Sequence, residues 1–223
     1  MGIRINNRGV VCALVCVFVC LFASPALSDL DDFSFKPQAR KLRYVEEFYS
    51  LFAQNHMPST DSTERNIWFL QVALNSPFKH PIQALCRIQT EEEHEQYKRL
   101  LRARIAFLIA QGFVQLGYRY DKEDVYYFNL EYAKEIAKGF TIAEECYREA
   151  IVYWDEARRV AAEAYRRRNI RLSGGGGFID ALQNEARRIH AGDINYRKTI
   201  DFRIKDLERK RAKLPPEYRG QAN

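Results

Sequence analysis

Thr90 to Tyr120, TEEEHEQYKRLLRARIAFLIAQGFVQLGYRY, decides the fold. Thr90 and Glu93 form a capping box, in which hydroxyl and carboxylate satisfy amides that the first helical turn cannot pair internally. Behind the box nothing breaks the helix, and Tyr97, Leu100, Leu101, Leu108 and Leu116 recur along it. One uninterrupted helix to about Tyr120 is expected.

Similar signals lie on both sides. Upstream, Leu42, Val45, Tyr49 and Phe52 mark an amphipathic helix stopped by Pro58, and Asp61 with Glu64 opens a helix carrying Ile67, Leu70 and Leu74. Pro81 suits the first turn of a short helix through Ile82, Leu85, Cys86 and Ile88. Downstream, residues 121–124 read as a charged turn, and Val125 to Lys138 as an aromatic-rich helix capped by Gly139. Thr141 and Glu144 read as another capping box, opening a helix to about Arg168. The run from Ser173 to Gly177 reads as a break. After it, Phe178 to Ala191 ends at Gly192, and Asp193 is placed to cap a last helix ending before Pro215. No stretch alternates like a strand. The expected fold is all-α, an antiparallel helical bundle or a short α-solenoid. Its expected parts are a helical domain over 29–172, a Gly-rich linker at 173–177, a basic helical hairpin at 178–214 and a tail at 215–223.

Residues 1–28 carry a different pattern. Arg4 and Arg8 precede an apolar run from Val10 to Phe22, and Ala26-Leu27-Ser28 places small residues before Asp29. This is the pattern of a cleaved signal peptide, so the expected setting is the periplasm or cell envelope. Retention of residues 9–27 as a membrane anchor is the second reading. Lipidation is disfavoured, because Cys12, Cys16 and Cys20 each follow valine inside the apolar run.

Beyond residue 28 only Cys86 and Cys146 remain, too few for a disulfide-built scaffold. Both sit beside apolar residues on helical patterns and read as core thiols, with a bridge as the alternative. Charge is uneven. Residues 151–223 hold 17 Lys/Arg against 10 Asp/Glu, while 29–150 hold 16 against 19. A basic C-terminal third in an exported chain points to an acidic envelope protein or an anionic membrane surface, not to nucleic acid.

Phe113, Leu116, Gly117 and Tyr120 have the spacing of the first helix of a tetratricopeptide repeat, and Ala143, Tyr147 and Ala150 that of its second. The chain thus resembles one degenerate tetratricopeptide (TPR) repeat. The two halves lie about 14 residues further apart than a 34-residue repeat allows, and the usual final proline is missing. The resemblance implies a binding scaffold, in the manner of exported TPR-like subunits of transporter, secretion or flagellar-motor assemblies.

Few residues suggest catalysis. Glu91-x-x-His94 is half of the helical motif that holds a di-iron centre, but His56, His80 and His190 lack the matching glutamate. Glu91, Glu92 and Glu93 are better explained as acids at a helix N-terminus. Cys146 lies beside Glu144 and Glu145, which oppose thiolate formation. The glycine run lacks the strand and Lys-Ser/Thr of a phosphate loop.

Three features are candidates for binding. They are the cluster Tyr126, Tyr127, Phe128 and Tyr132, the run Arg166, Arg167 and Arg168, and the basic last helix with Arg209, Lys210 and Arg211. On that helix Ile200, Ile204, Leu207 and Leu214 form an apolar stripe that suits a surface, a partner groove or its own bundle. The expected function is a non-enzymatic exported scaffold without cofactor or metal. The alternatives are a small-ligand receptor with an aromatic pocket and a metal-dependent enzyme using Glu91 and His94.

Overall fold

The computed structural model describes residues 42–54, 60–122, 130–174 and 177–219. Among them run seven α-helices: α1 (Val45–Gln54), α2 (Thr60–Leu74), α3 (Glu91–Tyr120), α4 (Ala133–Arg166), α5 (Phe178–Ala191), α6 (Tyr196–Arg211) and α7 (Pro216–Arg219). Short 3-10 turns occupy Pro81–Gln83 and Leu130–Tyr132. The only pairing of strand type among the described residues is one isolated antiparallel bridge between Arg87 and Ser173. The fold is all-α. Residues 1–28, read from the sequence as an export signal, lie outside the described residues.

α3 starts where its capping box predicts. The Thr90 hydroxyl accepts the Glu93 amide at 3.1 Å, and the Glu93 carboxylate accepts the Gln89 amide at 2.6 Å. From Ile105 to Ala110 every residue of α3 is buried, so this stretch of the helix is apolar on all sides. It is long and apolar enough to cross a bilayer, but most of that stretch is buried inside the protein, where α3 packs on α2, α4 and α5.

α3 and α4 pair antiparallel, with Gln96 beside Ala164 at one end and Gly117 beside Ala143 at the other. The seam has a seven-residue period. α4 presents Ala143, Ala150, Ala157 and Ala164 along one line and Phe140, Tyr147, Trp154 and Ala161 along the next, all buried. α3 answers with Gln96, Ala103, Ala110 and Gly117. Small residues at heptad spacing let two helix axes approach closely over their full length, and the large rings fill the flanks. The small–aromatic spacing that resembles a tetratricopeptide repeat forms part of this longer seam.

Gly117 marks the tightest crossing. A Cβ there would lie 2.7 Å from the Tyr147 ring and 3.1 Å from the Ala143 carbonyl oxygen. Tyr147 is fully buried and has no room to yield. Gly117→Ala is therefore expected to lower stability. Overpacking of about 1–3 kcal/mol outweighs the ~1 kcal/mol gained in helix propensity. Thermal unfolding checks this, and a variant at least as stable as the wild type would show that the crossing is loose.

Several expected boundaries are corrected. Gly139 does not end a helix but lies inside α4. Its missing side chain matters because a Cβ would sit 3.2 Å from the Tyr120 carbonyl oxygen, at the end of α3. Thr141 is no cap either, since its hydroxyl donates to the Ala137 carbonyl one turn back, at 3.1 Å. The Pro81 helix amounts to a single 3-10 turn with Ile82 exposed. α6 begins after Asn195 rather than at Asp193, with no side-chain cap.

The described residues on the two sides of the glycine run are in contact. Ser173 is bridged to Arg87, Leu172 is buried, and α5 and α6 both pack on α4. The described residues from 42 onward form one compact unit.

Candidate functional site

The basic last helix turns its apolar stripe inward. Ile200, Leu207 and Leu214 are buried and Ile204 is half-buried, so the bundle itself occupies the stripe. Lys210 also faces inward, contrary to its reading as a surface cation. Its Nζ donates to the Asp121 carbonyl oxygen at 2.7 Å and sits 3.0 Å from Asp206 and 3.7 Å from the Asp121 carboxylate. Asp121 is fully buried and also accepts the Tyr147 hydroxyl. Arg211 is held by Glu144 at 2.7 Å. Of the three basic residues expected at the surface, Arg209 alone is exposed, and it bonds Asp206 at 2.6 Å. Burial works against the Asp206 carboxylate, but hydrogen bonds from Lys210 and Arg209 prevail and lower its pKa.

The outer face of α6 carries a second pattern. Lys198, Phe202, Lys205 and Arg209 are all exposed, and at 100° per residue they fall within an arc of about 60°. Phe202 is 64% exposed, with a cation about one turn away on either side. Beside it the Arg203 guanidinium lies 4.4 Å from the ring centre of Tyr118, itself half exposed at the end of α3. The result is a basic strip containing two exposed rings.

The remaining candidates are dispersed. Arg166, Arg167 and Arg168 are exposed at the end of α4. The Arg168 guanidinium covers Tyr165 at 4.7 Å, and Tyr165 also stacks on His190 at 4.3 Å. Tyr132 is exposed at the start of α4, whereas Tyr126, Tyr127 and Phe128 lie outside the described residues. His94 is half-buried, with its ring parallel to that of Tyr97. Burial and then Lys98 lower its pKa. Glu91 is exposed, and among the described residues no three His, Cys, Asp or Glu side chains converge. Cys86 and Cys146 are free and buried. Burial pushes the first thiol to about 11, with Glu93 adding to it, and the second to about 12, with Glu145 adding. Such thiols are poor nucleophiles at neutral pH.

Residues 92–216 match a family described as a domain of unknown function, DUF8513. The chain belongs to that family. The DUF8513 span runs from the first turn of α3 to the start of α7, so it contains the whole α3–α4 seam, the buried Asp121–Lys210 pair and the basic strip on α6. Neither the curated proteins nor the solved structures contain a match.

Sequence reasoning missed Asp121, Gln96, Lys198 and Phe202. For the last two the signal was present as an i, i+4, i+7 spacing with Lys205, opposite the apolar stripe. Asp121 and Gln96 carried no local signal.

Proposed function

We propose that this DUF8513 protein is an exported, non-enzymatic helical adaptor that binds an acidic partner protein of the cell envelope through the outer face of α6. Phe202 carries the reading, because a large apolar ring standing in water between Lys198, Lys205 and Arg209 serves no packing purpose within the bundle. Aromatic and arginine side chains supply most of the energy of protein interfaces, and a strip of one charge sign steers the encounter. Arg4, Arg8 and the apolar run to Phe22 support the export. The tetratricopeptide-like crossing at Gly117 supports a scaffold, in the manner of an accessory subunit of a larger envelope assembly. An anionic membrane surface is the competing occupant.

The test uses point variants of the full chain, since removing α6 would also remove Lys210. Phe202→Ala combined with Lys205→Glu alters only exposed side chains and leaves the circular dichroism unchanged. Crosslinking in envelope extracts is expected to lose its partner band in this variant. Phe202→Ala alone is expected to weaken association by about 30-fold, the loss of one interface hot spot. Raising the salt concentration weakens the charge contribution alone. A double variant that crosslinks like the wild type refutes the reading, and binding to anionic vesicles without any protein partner transfers the strip to a membrane.

A further inference from the structure

The small-residue line of α3 ends at Gln96, where a carboxamide stands in the place that alanine or glycine holds at 103, 110 and 117. Gln96 is buried, and its Nε2 donates to the Ala164 carbonyl oxygen at 2.9 Å. That bond fixes the orientation of the amide, because a carbonyl accepts only from the NH2 end. Oε1 is left buried without a partner. A buried unmatched acceptor is costly, and in native proteins it commonly marks a place for a water or a ligand.

Beside Gln96 a cleft of about 360 Å³ lies between the start of α3, the last turn of α4 and the middle of α5. Gln183 and Asn184 supply two more carboxamides, Arg168 and Arg187 supply two cations, and Tyr165 supplies a ring. No carboxylate lines it among the described residues. Glu185, the nearby acid on α5, is bonded to Arg104 instead. Arg187 is already oriented, its Nη2 donating to the Asn184 side-chain oxygen at 2.8 Å.

The polarity of the cleft is directional. The Gln96 acceptor and the carbonyl end of α4 attract a hydrogen-bond donor, and the two guanidinium groups attract an anion. A dianionic phosphate is the poorer match, because the last carbonyls of α4 repel excess negative charge. The volume is that of a small-molecule site. We infer that this cleft binds a small carboxylic acid that also carries an N–H or O–H donor, the chemistry of an α-amino or α-hydroxy acid. The carboxylate sits at Arg168 and Arg187 and the donor at Gln96 Oε1. The site shares no residue with the strip on α6, so either proposal can fail without the other.

Calorimetric titration of the full chain with the standard L-amino acids, lactate and propionate tests it. Saturable binding of at least one amino acid or of lactate is expected, with propionate, which lacks the donor, at least tenfold weaker. L-alanine against lactate tells whether the donor is an ammonium or a hydroxyl group. Arg168→Ala and Arg187→Ala alter exposed side chains, and each is expected to weaken binding at least tenfold. Gln96→Leu is expected to remove the preference over propionate. Absence of saturable binding to any of these probes overturns the inference. So does binding that survives the double arginine variant, whatever the folding of Gln96→Leu.

Discussion

Lys210→Met is expected to lower the unfolding free energy by about 3–5 kcal/mol, the range for removing one partner of a buried ion pair. Lys210 and Asp121 are 4% and 0% exposed, and the lysine also bonds the Asp121 backbone and Asp206. Methionine matches the stem of lysine but leaves the Asp121 carboxylate in the core without a cation. The Tyr147 hydroxyl remains as a donor, which is too little for a full charge away from water. Urea unfolding followed by circular dichroism gives the value. Adding Asp121→Asn to Lys210→Met is expected to recover most of the loss, because the core then holds no net charge. A loss below about 1 kcal/mol for the single variant would mean that solvent reaches Asp121.

Trp154→Ala is expected to cost a similar amount, about 3–5 kcal/mol. Trp154 is 1% exposed, and its ring meets Phe107 of α3 at 5.6 Å and Tyr196 of α6 at 6.1 Å, while those two meet each other at 5.5 Å. The three rings join three helices at one point, so truncation leaves a cavity that no single helix can close. Trp154→Phe is the informative companion. The indole Nε1 is buried without a hydrogen-bond partner among the described residues, so phenylalanine discards an unmatched donor and keeps most of the packing. A loss for Trp154→Phe well under half that for Trp154→Ala, measured by the same urea series, supports this. Equal losses would show that the indole nitrogen has an unseen partner.

What was legible in the chain was what is decided locally. Thr90 with Glu93 and Gly192 with its positive φ placed the start of α3 and the end of α5, because a cap is chemistry within one turn. Thr141 and Glu144 carry the same letters as a true box, yet the helix passes straight through them. The Tyr120 carbonyl that crowds position 139 belongs to another helix, and no local pattern reveals it. Lys210 reads as one more charge in a basic run, and only Asp121, across the bundle, makes it a core residue. The cleft was hidden for the same reason. Gln96, Arg168 and Arg187 are far apart in the chain and meet only because α3 and α4 run antiparallel and α5 folds back on them. The apolar stripe of α6 was correctly seen, and so was docking as one of its uses. The exposed opposite line with Phe202 became visible once the stripe was known to be occupied.

Asp121 and Lys210 are 89 residues apart. A growing polypeptide therefore emerges with its carboxylate long before the ammonium group that neutralises it has been synthesised. Until then, closing α3 and α4 around Asp121 isolates a charge from water at the cost expected for Lys210→Met, so closure is disfavoured at that end. Completion of the core is thus timed to the last helix. A chain cut short before residue 210 is expected to leave the Asp121 end of the core less stably closed than in the full protein.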